Sequence, residues 1–238
     1  MTGTIINIVA VLIGGSLGTF VGARLPARVQ ETVIWTLGLF TIALGVKLTL
    51  QSQNVLITLG SGLVGGLLGE WWNLDNQLRR LGAWLEARFA RGSSNEAAAR
   101  FIKGFVTSSL IFCIGPLSIL GSIQDGLTGN YQLLAVKSLL DAFGALAFSA
   151  SLGVGVLFST LVILVYQGGI SLLAAQAQSL LTMPMINEMT AVGGLLIMAI
   201  GFGSLLELRP IRVANYLPAL VIAPAIVAVL HAYGVTGF

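Results

Sequence analysis

The chain has 238 residues, of which 56% are hydrophobic and only 9% charged, with 30 glycines, a net charge of +3 and a mean hydropathy of +0.94. A water-soluble domain of this length cannot bury that much apolar surface, so the composition excludes a soluble enzyme or binding module and predicts a chain whose solvent is lipid. The pI near 9.4 comes from basic residues at span ends, which orient membrane proteins, and no nucleic-acid partner is read from it.

A bilayer core about 30 Å thick takes roughly 20 helical residues to cross. Apolar windows of that size fall at residues 4–23, 32–50, 55–72, 102–121, 132–149, 153–174, 189–207 and 213–232. They predict an all-α polytopic bundle of about eight spans, a single integral membrane domain over residues 1–238. No basic residue precedes the first run, whereas Arg24 and Arg28 follow it; that order is wrong for a cleaved signal peptide, so the segment is expected to stay as a span. Gly14, Gly18 and Gly22 repeat every fourth residue in span one, as do Gly62 with Gly66 and Gly65 with Gly69 in span three. Such spacing lets helix backbones approach closely.

Residues 75–100 form the one sizeable hydrophilic loop. Leu78, Leu81, Leu85 and Phe89 recur there at helical spacing, with Arg79, Arg80, Arg88 and Arg91 mostly elsewhere on the wheel. This predicts a basic amphipathic helix on the cytoplasmic surface, with Trp71, Trp72 and Trp84 in the interfacial belt. Gly92, Ser93, Ser94 and Asn95 make a flexible link to span four.

Residues 132–175 are one nearly unbroken apolar stretch, too long for one span and right for two joined by a turn over Ser149–Gly155. Charge placement supports this count. If Arg24 with Arg28, the basic residues of the 75–100 loop with Lys103, and Arg209 with Arg212 all face the cytoplasm, an even number of spans separates each cluster from the next; eight spans with both termini outside satisfy this. Residues 38–45 (GLFTIALG) also resemble 194–201 (GLLIMAIG), and Val11 to Gly15 loosely resembles Val165 to Gly169. Matching spans one to three with six to eight gives two three-helix repeats that cross in opposite directions, an arrangement typical of transporters. Chance likeness among Gly, Leu and Ala is the open alternative.

The candidate site follows from the cost of polarity in lipid. Lys137 and Asp141, the only charges in residues 132–175, lie four apart on one helix face, where they can pair as a self-satisfied bridge or exchange partners when a proton or cation arrives. Gly115 and Pro116 should break span four and free backbone polar groups, with Ser108, Ser109 and Ser118 near enough to help. Gln167 with Gly168 and Gly169 is expected to do the same in span six. Asp125 reads as a carboxylate in a Gly-rich turn, solvated or at the mouth of a cation path. Glu188, with Asn187, starts span seven on the same outer side. Once Lys137 is paired, Asp141, Asp125 and Glu188 leave an excess of carboxylate, favouring a cation. Lys47, Glu70, Glu207 and His231 mark span ends. Cys113 reads as a small core hydrophobe.

The motifs Cys-x-Gly-Pro at Cys113–Pro116, Gly-x-x-x-Asp-Gly-Leu-Thr-Gly at Gly121–Gly129 and Lys-Ser-x-x-Asp at Lys137–Asp141, together with the N-terminal GTIINIVAVLIGGSLGTFVGARLP, closely resemble the YdfK/YqgA-like family of bacterial integral membrane proteins, a domain of unknown function. The resemblance covers essentially the whole chain. It implies a multi-span inner-membrane protein of transporter type, and supplies neither a substrate nor functional residues. No nucleophile-with-base arrangement or Walker-type loop is present in the sequence, so neither an enzyme nor a cofactor is expected, and the identity of any metal is left unassigned. The leading expectation is a secondary transporter or channel for a small solute, most plausibly a cation or proton-coupled substrate; the alternative is a non-transporting scaffold or partner subunit. The expected partners are the lipid bilayer and a small solute or ion, with a homo-oligomer left open.

Overall fold

The computed structural model describes residues 1–90 and 94–233, and among these no strand occurs. Eleven α-helices follow one another: α1 (Thr2–Gly22), α2 (Ala27–Thr49), α3 (Val55–Trp72), α4 (Leu74–Phe89), α5 (Asn95–Cys113), α6 (Pro116–Thr128), α7 (Gln132–Leu152), α8 (Ser159–Leu172), α9 (Ala174–Leu180), α10 (Met183–Ile200) and α11 (Ala219–Ala232). By length and apolarity six segments of the described residues can cross a membrane, or seven when α5 and α6 count as one bent span. A helical membrane bundle is what lipid demands of such a chain, because every backbone polar group must be satisfied within it.

The chain forms two compact units, each assembled from segments distant in the sequence. One holds α1, α5, α6, α7 and α8 with most of α4; the other holds α2 from Gly38, α3, α10 and α11.

In the first unit α1 lies along α7. A Cβ added to Gly14, Gly18 or Gly22 would stand 2.1, 2.1 and 2.2 Å from the carbonyl oxygens of Ala142, Leu146 and Ala150. Both numbers of each pair rise in steps of four, so the helices run parallel, and only glycine allows so close an approach. The segment from 132 to 172 qualifies by composition as one stretch, yet the chain reverses within it. The Asn7 amide touches both Asp141 and Gln167, which a continuous helix would hold about 39 Å apart. The reversal begins at Gly153, whose φ of 79° is a conformation other residues rarely adopt. A 3-10 segment, Gly153–Phe158, then leads into α8, with the Phe158 ring 5.2 Å from those of Phe89 and Phe101.

Span four, expected over 102–121 with a break at Gly115 and Pro116, is interrupted at that point. α5 and α6 are separate helices bent by 64°, hinged at Gly115 with φ 141°. Pro116 opens α6, a position where its missing N–H costs nothing, and the Ser118 hydroxyl donates to the Phe112 carbonyl at 3.2 Å across the break. By contrast α8 passes unbroken through Gly168 and Gly169, correcting the helix break expected there. Shielded from water, the backbone has no competing partner, and Gln167 finds its own sideways.

In the second unit α2 and α10 run antiparallel. A Cβ on Gly45 would lie 2.7 Å from the Gly194 oxygen, one on Gly194 2.6 Å from the Gly45 oxygen, and one on Gly201 3.0 Å from the Gly38 oxygen. These are the two similar segments, 38–45 and 194–201, packed on each other. The Gly45–Gly194 contact and the Gly201–Gly38 contact exchange when one segment is mapped onto the other, as in a local two-fold pair. α3 also runs antiparallel to α11 and the 3-10 segment Val213–Tyr216 that leads into it, with Gly65 against Ala219 and Gly69 against Asn215.

Helix α4 buries only Gly82 and Leu85 of its apolar face, leaving Leu81, Trp84 and Phe89 exposed together with Trp71 and Trp72. Arg91, Gly92 and Ser93 lie outside the described residues.

The tight parallel seam of α1 on α7 is testable. Gly18→Leu drives a side chain into the Leu146 carbonyl and should destabilise the protein by about 3 kcal/mol or more, seen as a lower melting midpoint in detergent. Gly60, with nothing within 4 Å of an added Cβ, should accept leucine within about 0.5 kcal/mol; equal behaviour of the two variants would contradict the seam.

Candidate functional site

The buried polar groups of the first unit converge on α1. Lys137 and Asp141 form an ion pair on α7, both buried. From α1 the Asn7 side-chain Nδ2 donates to Asp141 Oδ2 at 3.0 Å and to Gln167 Oε1 on α8 at 3.1 Å. Asn7 and Gln167 are wholly buried. The carboxylate accepts only, so the amide nitrogen of Asn7 must face it, and that nitrogen in turn requires the oxygen of Gln167. Each amide is thus left with an unused half. Asn7 Oδ1 and Gln167 Nε2 are buried without a hydrogen-bond partner, a state that costs about 1–3 kcal/mol per group.

One turn back along α1, the Gly3 N–H donates to Asp125 Oδ2 at 3.0 Å, and the Met1 amine lies 3.1 Å from the same oxygen. Asp125 is therefore a buried group of helix α6, correcting the loop position expected from its glycine neighbours. The helix runs from Pro116 through Gly121, Asp125 and Gly126 to Thr128, and Asp125 lies on its buried side. Its Oδ1, the Thr4 hydroxyl and the Ser122 hydroxyl are likewise buried and unpartnered. Ser171, one turn beyond Gln167, donates to the Ser122 carbonyl at 3.0 Å and closes α8 onto α6. With Gln124 Oε1, also buried and unpartnered on α6, six unspent polar atoms sit on α1, α6 and α8, close to the bonds that join these helices.

Glu188 belongs to the second unit and is unlike them. From α10 its Oε1 accepts the Gln53 and Asn54 N–H groups at 2.7 and 3.1 Å, and its Oε2 the Ser52 and Thr58 hydroxyls at 2.8 and 3.2 Å. This carboxylate is saturated. It caps the start of α3 and has little left for a ligand. Asn187, beside it, is half-buried.

Lys137, Asp141 and Gln167 thus meet at one point, Asp125 joins them through α1, Ser118 bridges the α5–α6 bend, and Glu188 belongs to the other unit. The bridging residue, Asn7, was not among the sequence candidates. A signal existed: it is the one Asn or Gln in the apolar run of α1. Among the described residues no three His, Cys, Asp or Glu side chains gather where a metal ion could be held.

A family model described as "Protein of unknown function (DUF554)" matches residues 2–228. The chain is 32% identical over 238 residues to the "Uncharacterized membrane protein YdfK" of Bacillus subtilis (strain 168), covering 98% of this chain and 99% of that one. It is 33% identical over 221 residues to the "Uncharacterized protein YqgA" of Escherichia coli (strain K12), covering 93% and 94%. No solved structure matches it. A family match over nearly the full length, two relatives aligned end to end and a bundle of apolar helices agree: the chain is an integral membrane protein that belongs to the DUF554 family.

Proposed function

We propose that this protein is a secondary transporter or channel of the bacterial inner membrane, moving a proton, a small cation or a proton-coupled solute past Asp141. The observation that carries the reading is the unused half of each amide at Asn7 and Gln167 beside a buried ion pair. A seam built only for packing gains by pairing such atoms or replacing them with apolar ones, since orphaned polar groups are expensive in lipid. A seam that hands a proton or ion from group to group needs acceptors and donors held open. Asp141, accepting from both Lys137 and Asn7, is the group whose partner can be exchanged; Asn7 and Gln167 position it, and Asp125 offers a second carboxylate one turn along α1. The opposite reading, a scaffold or partner subunit, draws its support from Glu188, whose bonds are all internal.

The helix directions favour eight crossings, and the basic clusters at Arg24 with Arg28, residues 79–103 and Arg209 with Arg212 favour placing both termini outside. In the first unit α1 is parallel to α7 and antiparallel to α8; in the second, α2 opposes α10 and α3 opposes α11. Following the chain from α1, one crossing each for α2, α3, the α5–α6 pair, α7, α8, α10 and α11 reproduces every one of these directions. The two-fold packing of 38–45 on 194–201 supports inverted repeats, which let a transporter exchange inward-open and outward-open forms.

Uptake by purified protein in proteoliposomes, across a panel of protons, alkali and divalent cations and small metabolites, tests the proposal. At least one solute should move, and Asp141→Asn should insert and fold yet fall to the level of empty vesicles. Replacing Lys137 alone by leucine should cost about 3–5 kcal/mol of stability, whereas replacing Lys137 and Asp141 together should be nearly neutral, because matched removal leaves no orphan charge. Uptake that survives in that double variant would contradict the role given to the pair.

A further inference from the structure

The outward face of α3 in the second unit carries an open groove of about 380 Å³. Leu59, Leu63 and Leu67 stand along it, Gly62 and Gly66 form its floor and Leu195 of α10 completes the wall. The three α3 leucines are more than half exposed, and nothing lies within 4 Å of a Cβ added to Gly62. The groove is therefore a slot for an apolar chain. Its end is polar. Glu70 and Tyr216 line it there, and the Glu70 carboxylate pairs with the Arg212 guanidinium at 3.0 Å, with 45% of one side chain and 65% of the other still exposed.

We propose that this groove binds a zwitterionic phospholipid carrying a primary ammonium, a phosphatidylethanolamine, with one acyl chain over Gly62 and its headgroup across Glu70 and Arg212. The charge pattern selects that headgroup. An ammonium donates hydrogen bonds to the Glu70 carboxylate while the phosphate takes a two-pronged contact from the planar Arg212 fork. A trimethylated choline head has no N–H to donate to Glu70. An anionic phosphatidylglycerol satisfies Arg212 but sets its phosphate against Glu70 with no cation in between. The existing ion pair is exposed and so contributes little by itself, and exchanging it for two complementary contacts to one lipid loses little. A second copy of the chain is the rival occupant, since glycine-floored faces also pack helices; the carboxylate and the guanidinium at the groove's end favour the lipid.

The test uses the full chain, purified in detergent and stripped of lipid, with melting followed on addition of phosphatidylethanolamine, phosphatidylcholine or phosphatidylglycerol of identical acyl chains. Phosphatidylethanolamine should raise the midpoint by about 3 °C or more, and the other two by clearly less. Gly62→Leu places its Cβ in open space and extends along the slot, so it should fold normally and lose the shift; Glu70→Gln should erase the preference for phosphatidylethanolamine over phosphatidylcholine while keeping a residual shift. Equal shifts from all three lipids, a preference that survives in both variants, or a lipid-independent dimer that Gly62→Leu abolishes would each overturn the proposal. The result does not depend on whether the protein transports anything.

Discussion

Everything in the first unit hangs on one amide. Lipid offers no hydrogen bonds, so a polar side chain inside the bilayer must find its partners in the protein. Asn7 does so by bonding Asp141 on one helix and Gln167 on another. The contact requires α7 and α8 to fold back on each other, and the glycine seam of α1 lets α7 come close enough for it to form. Lys137 is held in the interior by the same carboxylate. Without Asn7, Gln167 and the ion pair would each be isolated polar groups in an apolar bundle.

The buried carboxylates of the protein differ in what surrounds them. Four donors spend both oxygens of Glu188, which leaves a rigid cap on α3. Asp125 and Asp141 make their contacts through one oxygen each, Oδ2, next to atoms with no partner at all. A saturated carboxylate resists change because any rearrangement breaks several bonds at once. Unsaturated ones beside open donors and acceptors can rearrange at small cost, which is the physical basis for placing function along α1.

Much of this was legible in the sequence and some was not. Hydropathy alone yields the membrane bundle, and the four-residue glycine period in α1 foretells its close packing. Lys137 and Asp141 stand out because charges are rare in such a run. The helical character of Asp125 was hidden, since Gly121, Gly126 and Gly129 read as turn residues, and the bonds that tie this part of α6 to Gly3 and Ser171 are tertiary. Gly168 and Gly169 misled in the other direction, because two adjacent glycines weaken a helix in water far more than in lipid. Asn7 was overlooked because a lone amide in an apolar helix has meaning only once its distant partners are known, and residues 141 and 167 are joined to it by tertiary contact alone. For Glu188 the sequence supplies a carboxylate near a helix start; the donors that saturate it come from the α2–α3 loop and the first turn of α3, far away in the chain.

The central claim is that the Asn7–Asp141–Gln167 seam opens to water as part of a working cycle. Substituted-cysteine accessibility tests it most directly: Gln167→Cys in a Cys113→Ser background, exposed in membranes to an impermeant, positively charged thiosulfonate, with exposed Ser94→Cys as the control. The account predicts that Cys at 167, wholly buried in this structure, reacts measurably and from one side of the membrane, at a rate that falls when Asp141 is replaced by asparagine. A folded protein whose position 167 stays unreactive from both sides, while position 94 is labelled, would contradict it.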